Sequence, residues 1–225
     1  MELNLFENII RFNFLPSSYL NESWLELPVL STSFKKVRAC FTPYQSSDAL
    51  FSLLDIKRDF FGDFSGAFSY RRIAFLEPAI FDHLALKLGL VYINPVFKMS
   101  IDGSLIRSLT ASLNENELFF VEKSAEFFGA DFLFKTFNQV AFSLNESEKI
   151  KTQLMRFGYL VFFILFKEEN PLFFQRFSLL LDSKLVAWMA SKNVTLSADQ
   201  KHQLIQLVIR LLNHIEPSCK AIFVS

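Results

Sequence analysis

Ser197-Ala198-Asp199-Gln200-Lys201-His202-Gln203-Leu204-Ile205-Gln206-Leu207-Val208-Ile209-Arg210-Leu211-Leu212-Asn213-His214-Ile215-Glu216-Pro217 is the stretch that decides the fold class. Ser197 and Gln200 stand three apart, as in a capping box, where each side chain satisfies a backbone N–H that the first helical turn leaves unpaired. Leu204, Val208, Leu211 and Ile215 then form one stripe, widened by Ile205, Leu207 and Leu212. Lys201, Gln206, Arg210 and Asn213 fall largely outside it. This is the period of an amphipathic helix. Pro217 ends it, since proline cannot continue the hydrogen-bond ladder.

The same grammar extends backwards. Asn170-Pro171 stops one helix and starts another through Phe173, Phe174, Phe177, Leu180 and Leu181, and a break at Asp182-Ser183 precedes a helix at 185–191. Ser147 can cap a long helix over 148–169 whose late turns are apolar all round, which marks a central element. Its ten-residue run 157–166, between Arg156 and Lys167, falls short of the ~20 residues that span a bilayer and reads as a core helix. Asn114 and Glu117 form a second capping box for a helix to 128, with Gly129 as its cap, and 131–144 fits either helix or a short strand.

Glu77-Pro78 opens a helix through Ile80, Phe81, Leu84 and Leu88 that Gly89 ends or bends. Asn94-Pro95 repeats the start signal, Asp102-Gly103 marks a turn, and 104–113 is a short helix. Ser46-Ser47-Asp48 predicts a helix to about 59, followed by a loop over 60–70. Residues 1–45, punctuated by Pro16, Pro28 and Pro43, read as irregular with one short helix near 3–12. The expected fold is mostly α: one domain over 1–225, with an irregular N-terminal part (1–45) and a helical body (46–225).

Composition agrees. Gly (6) and Pro (7) are too few for a many-turned β-sandwich or barrel. Phe (29) outnumbers Tyr (5) and Trp (2) together about fourfold. Such an excess fits a packed core, apolar contact surfaces or a codon bias toward A and T. With zero formal charge and only short basic clusters (Lys35-Lys36-Val37-Arg38 and Arg71-Arg72, both read as solvated loops), the chain lacks the footprint of a nucleic-acid binder. Cys40 and Cys219 form no metal spacing, and the opening Glu2 and Glu7 differ from a basic signal sequence. The expectation is a cytoplasmic protein with reduced thiols.

Chemistry is absent by motif. No glycine spacing makes a phosphate loop, and in Gly62-Asp63-Phe64-Ser65-Gly66 the serine is one place late for a nucleophile elbow. Asp199 and His202, three apart at a helix start, suit capping and the macrodipole better than a metal. Asp55/Asp59 and Glu168-Glu169 sit beside Lys57, Arg58 and Lys167, which makes them solvated helix ends rather than an acid–base pair. The reading is a non-enzyme without cofactor or metal. A helical enzyme with a Phe-lined apolar pocket, a different protein-binding module, and a membrane protein using 154–166 are the alternatives.

Four segments in order resemble one family. They are Phe12-x-Phe14-x-Pro16-x-x-Tyr19-Leu20, Leu86-Lys87-Leu88-Gly89-Leu90-Val91, Gln175-Arg176-Phe177-Ser178-Leu179, and Ile215-Glu216-Pro217-Ser218-Cys219-x-x-Ile222-Phe223. Together they are similar to the SctK (YscK/PscK) family of type III secretion sorting-platform proteins. The resemblance implies an α-helical, non-enzymatic adaptor. It would join the cytoplasmic domain of the inner-membrane ring protein SctD to SctQ pods, and through them to SctL and the export ATPase. It implies no cofactor, no nucleic acid, no small-molecule substrate, and membrane association only through SctD. The positions carried by the resemblance are Phe12, Phe14, Pro16, Tyr19, Leu20, Leu88, Gly89, Pro217, Cys219 and Phe223, in structural or interface roles.

Overall fold

Local capping sets where the helices start. In the computed structural model, which describes residues 5–31, 33–58, 60–99, 103–137 and 150–217, no strand occurs among the described residues. The α-helices in chain order are α1 (Leu5–Phe14), α2 (Pro28–Ser31), α3 (Ser33–Cys40), α4 (Pro43–Leu53), α5 (Pro78–Met99), α6 (Gly103–Ser112), α7 (Glu115–Phe119), α8 (Ala130–Phe137), α9 (Ile150–Lys167), α10 (Pro171–Ser178), α11 (Ser183–Ala190) and α12 (Ala198–Ile215). The predicted boxes at Asn114/Glu117 and Ser197/Gln200 form with both reciprocal bonds. Asn170 and Asp182 cap α10 and α11. Gly129, at φ 82°, closes the 3-10 turn that follows a π-turn over Phe120–Ser124. Ser147, residues 138–144, Asp59, Asp102, Cys219, Ile222 and Phe223 lie outside the described residues.

The N-terminal region differs from the irregular segment expected. Helices and 3-10 turns fill most of 5–53, including 3-10 turns at Pro16–Ser18 and Glu22–Glu26. Helix α4 starts earlier than Ser46, because Thr42 and Gln45 make a capping box and Pro43 occupies the first turn. It also stops earlier than 59. Asp55 adopts φ 50°, and the Ile56 N–H bonds to the Phe51 carbonyl at 2.9 Å, the closing bond of a Schellman motif. Lys35 and Lys36 are exposed, but on a helix rather than a loop.

The helices fall into two compact units, residues 5–76 with 166–191, and residues 77–165 with 192–217. In the first, Leu20, Leu25, Leu30, Phe34, Leu50, Phe51, Ile56 and Leu179 form a buried cluster. Hydrogen bonds join distant segments here: the Trp24 indole donates to the Leu181 carbonyl (2.8 Å), the Asn21 N–H to the Leu179 carbonyl (2.8 Å), and the Ser183 N–H to Ser23 Oγ (2.8 Å). A second set of rings gathers round Phe12, which stacks on Tyr19 and meets Phe64, Phe75 and Phe173 at 5.3–5.8 Å between ring centres.

The second unit is built on α5, which runs unbroken through Gly89 and Pro95, against the stop and restart expected there. Its residues 84–95 are buried on every side, so packing overrides the local cost of glycine and proline. A methyl group on Gly89 would strike the Leu154 backbone, and one on Gly158 would strike the Ala85 backbone. The α5 and α9 backbones therefore touch at two points, four residues apart on each helix. Helix α5 is long and apolar enough to cross a membrane, with 72% of its most apolar window buried inside the protein, as in a core helix. The 157–166 run is buried apart from the partly covered Tyr159. Leu204, Leu207, Val208, Leu211 and Leu212 of α12 are buried, and α12 packs against α5.

Candidate functional site

The first resemblance segment is a folded corner. Helix α1 ends at Phe14, and Pro16 opens the 3-10 turn, where its fixed φ is no penalty. Ser17 is locked to the start of α4: its N–H donates to Ser47 Oγ (3.1 Å) and its hydroxyl to the Pro43 carbonyl (2.9 Å). The Tyr19 hydroxyl reaches back to the Phe12 carbonyl (2.8 Å), and burial pushes its pKa above the usual tyrosine range. Leu20 enters the buried cluster. Phe12, Pro16, Tyr19 and Leu20 thus hold the corner together. Phe14 is different: it is exposed.

Phe14 lines an open groove of about 310 Å³ with Tyr44, Asp48, Phe51, Arg58, Phe60 and Phe61. Starting α4 at Pro43 puts Tyr44, Asp48 and Phe51 on one helical face at i, i+4 and i+7. Tyr44 is 67% and Phe61 68% exposed, high values for large rings that a fold normally covers. Arg58 pairs with Asp48 on the rim and contacts Ser52 Oγ (3.4 Å).

The groove floor rests on Arg176, the basic residue of the third resemblance segment. Its side chain is completely buried. It donates to the carbonyls of Asn13 (3.1 Å), Leu172 (3.0 Å) and Lys57 (2.9 Å), and its guanidinium lies 5.2 and 5.1 Å from the ring centres of Phe51 and Phe60. One planar fork thereby ties α1, α10 and the chain at Lys57 and Arg58 into a single frame. Burial lowers its pKa, and the neighbouring Tyr19 opposes that.

Arg71 and Arg72, expected to be solvated, are buried. Arg71 pairs with the Glu169 carboxylate, whose side chain is also buried, donates to the Asp63 carbonyl (3.0 Å) and lies over the Phe68 ring at 4.2 Å. Tyr70 donates to the same Glu169 carboxylate, and burial followed by that carboxylate raises the Tyr70 pKa. The segment Gly66–Phe75 is a 3-10 helix rather than an extension of the loop, and Arg72 donates to the Phe64 carbonyl (2.6 Å). Glu169 is thus a buried structural carboxylate, not a solvated helix end. Glu169→Gln, which leaves Arg71 without its counter-charge, is expected to lower stability by about 3 kcal/mol in chemical denaturation.

Up to Ser65 the expected loop is present. The Ser65 N–H and hydroxyl both donate to Asp63 Oδ1 (2.9 and 2.7 Å), and these bonds hold the Asp63 carboxyl below its ordinary pKa. In the second unit Leu88 is fully buried and Gly89 is a packing position. Lys87 is buried with its ammonium 3.9 Å from the centre of the Phe120 ring, and desolvation lowers its pKa. Pro217 is exposed, while Cys219 and Phe223 lie outside the described residues. No sequence motif joins Tyr44, Asp48, Arg58 and Phe61; Asp48 and Arg58 read there only as a helix-start residue and a solvated charge. The shared face of Tyr44 and Asp48 follows only once α4 is started at Thr42-Pro43.

A family model described as YOP proteins translocation protein K (YscK) matches residues 8–224, which includes all four resemblance segments. The chain belongs to the YscK family. It is therefore a type III secretion protein, associated with the secretion apparatus. No curated protein and no solved structure matches this YscK-family chain.

Proposed function

We propose that this chain is a non-enzymatic, cytoplasmic adaptor of the type III secretion sorting platform. It joins the cytoplasmic domain of SctD to SctQ, and so to SctL and the export ATPase. It reaches the membrane only through SctD. The observation that carries this reading is the groove around Phe14, Tyr44 and Phe61, where three large rings face solvent side by side. A second set of exposed apolar side chains, Met99, Phe119 and Phe127, lies in the other unit. An adaptor needs two such surfaces. The buried polar groups of the first unit, Arg71, Glu169 and Arg176, serve its own backbone and side chains, as a rigid spacer requires.

Calorimetry of the whole chain with purified SctD cytoplasmic domain and with SctQ tests the assignment. Tyr44→Ser with Phe61→Ser should weaken one partner at least about tenfold, and Phe119→Ser with Phe127→Ser the other, since each removes exposed interface rings without touching the core. Unchanged affinities for both partners in both double variants would remove these surfaces from the account.

A further inference from the structure

The groove carries a charge that its lining does not reveal. Asp48 and Arg58 on the rim pair with each other and cancel. Beneath the rings of Phe51 and Phe60 lies the Arg176 guanidinium, and its hydrogen bonds go to backbone carbonyls. Among the described residues no ion pair joins Arg176 to a carboxylate, and the neighbouring Tyr19 hydroxyl, its pKa raised by burial, is uncharged near neutral pH. A guanidinium stays protonated even when buried, so the floor holds a whole positive charge. Screening by water is weak around a fully buried charge, so the guanidinium can act on a group placed against those two rings. The groove's lining is mainly aromatic, and the buried charge beside two of its rings is positive.

We propose that the occupant of this groove is a partner segment with an apolar or aromatic anchor flanked by carboxylates. The proposal rests on the reading that the groove docks protein, and adds the chemistry of what docks. A volume of about 310 Å³ lies at the lower end of the range for ligand pockets, room for an anchoring side chain rather than a large cofactor. An apolar anchor covers Tyr44 and Phe61, and flanking carboxylates bring the counter-charge that Arg176 lacks among the described residues. The Arg58 guanidinium, half-exposed on the rim, can then turn from Asp48 to the incoming acid. A basic segment would meet repulsion at the same place.

Three fluorescent peptides with one common apolar centre, flanked by Glu, Gln or Lys, test this by anisotropy on the full-length chain. The Glu peptide should bind about tenfold tighter than the Gln peptide and lose that advantage as salt is raised, and the Lys peptide should bind weakest. Arg58→Gln, which removes a groove-lining cation, should weaken the Glu peptide about tenfold and the Gln peptide much less; equal weakening of both would overturn the charge argument. Asp59→Asn checks the chain's own counter-charge: unchanged peptide preference supports the proposal. A gain for the Glu peptide in that variant alone would assign the compensation to Asp59 and overturn it. Equal binding of the Glu and Gln peptides, or preference for Lys, overturns the charge argument while leaving the groove as a docking site. If no peptide binds and Tyr44→Ser with Phe61→Ser leaves SctD and SctQ binding intact, the docking reading itself fails. A self-associating chain whose groove is blocked in the dimer, seen by sedimentation, would also overturn the proposal.

Discussion

Gly158→Ala lowers the stability of the protein by about 3 kcal/mol or more, although the same change on an exposed helix would raise it by roughly 1 kcal/mol. The two effects have opposite signs, which makes the measurement decisive. Alanine is the better helix former because its unfolded chain has less freedom to lose. At Gly158, however, the new methyl meets the Ala85 backbone, which cannot rotate away as a side chain would. Gly89→Ala presses on the Leu154 backbone in the same way. Either substitution must separate α5 from α9 and open the buried contacts of both, including the Tyr92–Phe157 stack at 3.9 Å. Urea denaturation followed by circular dichroism reads the loss. A stabilised Gly158→Ala protein would show that the helices do not approach this closely.

Arg176→Met should cost about 3–5 kcal/mol, despite replacing a buried charge by an apolar side chain of similar length. Burial of a lone cation is unfavourable, so its removal alone would help. What decides the sign is the set of acceptors left behind. The carbonyls of Asn13 and Lys57 would lose the donor that links them to α10, and each orphaned buried acceptor costs roughly 1–3 kcal/mol. Lysine is no substitute, since a single ammonium cannot present a planar fork to three segments. Thermal melting of Arg176→Met and Arg176→Lys should give reduced midpoints for both. A midpoint equal to the parent's in Arg176→Met would mean that the fork does not hold the frame.

How far these features could be read in advance follows from their range along the chain. The capping boxes of α7 and α12 and the caps of α10 and α11 are legible because cap and backbone partner lie within a few residues. The all-round apolar run of α9 announces its central place for a similar reason. The end of α4 was hidden because Asp55, not glycine, takes the left-handed position, a role that Asp accepts less often. Gly89 and Pro95 look like punctuation in isolation. Burial of α5 turns the first into a contact point and absorbs the second.

The buried charges are the least legible. Arg71 and Glu169 are 98 residues apart, and Arg176 meets Asn13 across 163. Neither separation leaves a local signature, so adjacent charged residues such as Arg71-Arg72 read as a solvated loop. The groove was legible only in part. Phe14 belongs to the first resemblance segment, but its partners Tyr44 and Phe61 come from α4 and the segment after it. Among the described residues the phenylalanines occupy two kinds of place. Phe12, Phe157, Phe166, Phe173 and Phe177 are buried, whereas Phe6, Phe14, Phe61, Phe119 and Phe127 face solvent.

The central claim is that this YscK-family chain bridges two proteins, and bridging is measured most directly with all three present. Immobilised SctD cytoplasmic domain should retain SctQ when the full-length chain is added and release it when the chain is omitted, at matched concentrations. Retention of SctQ that is the same with and without the chain, or competition between SctD and SctQ for it, would contradict the account.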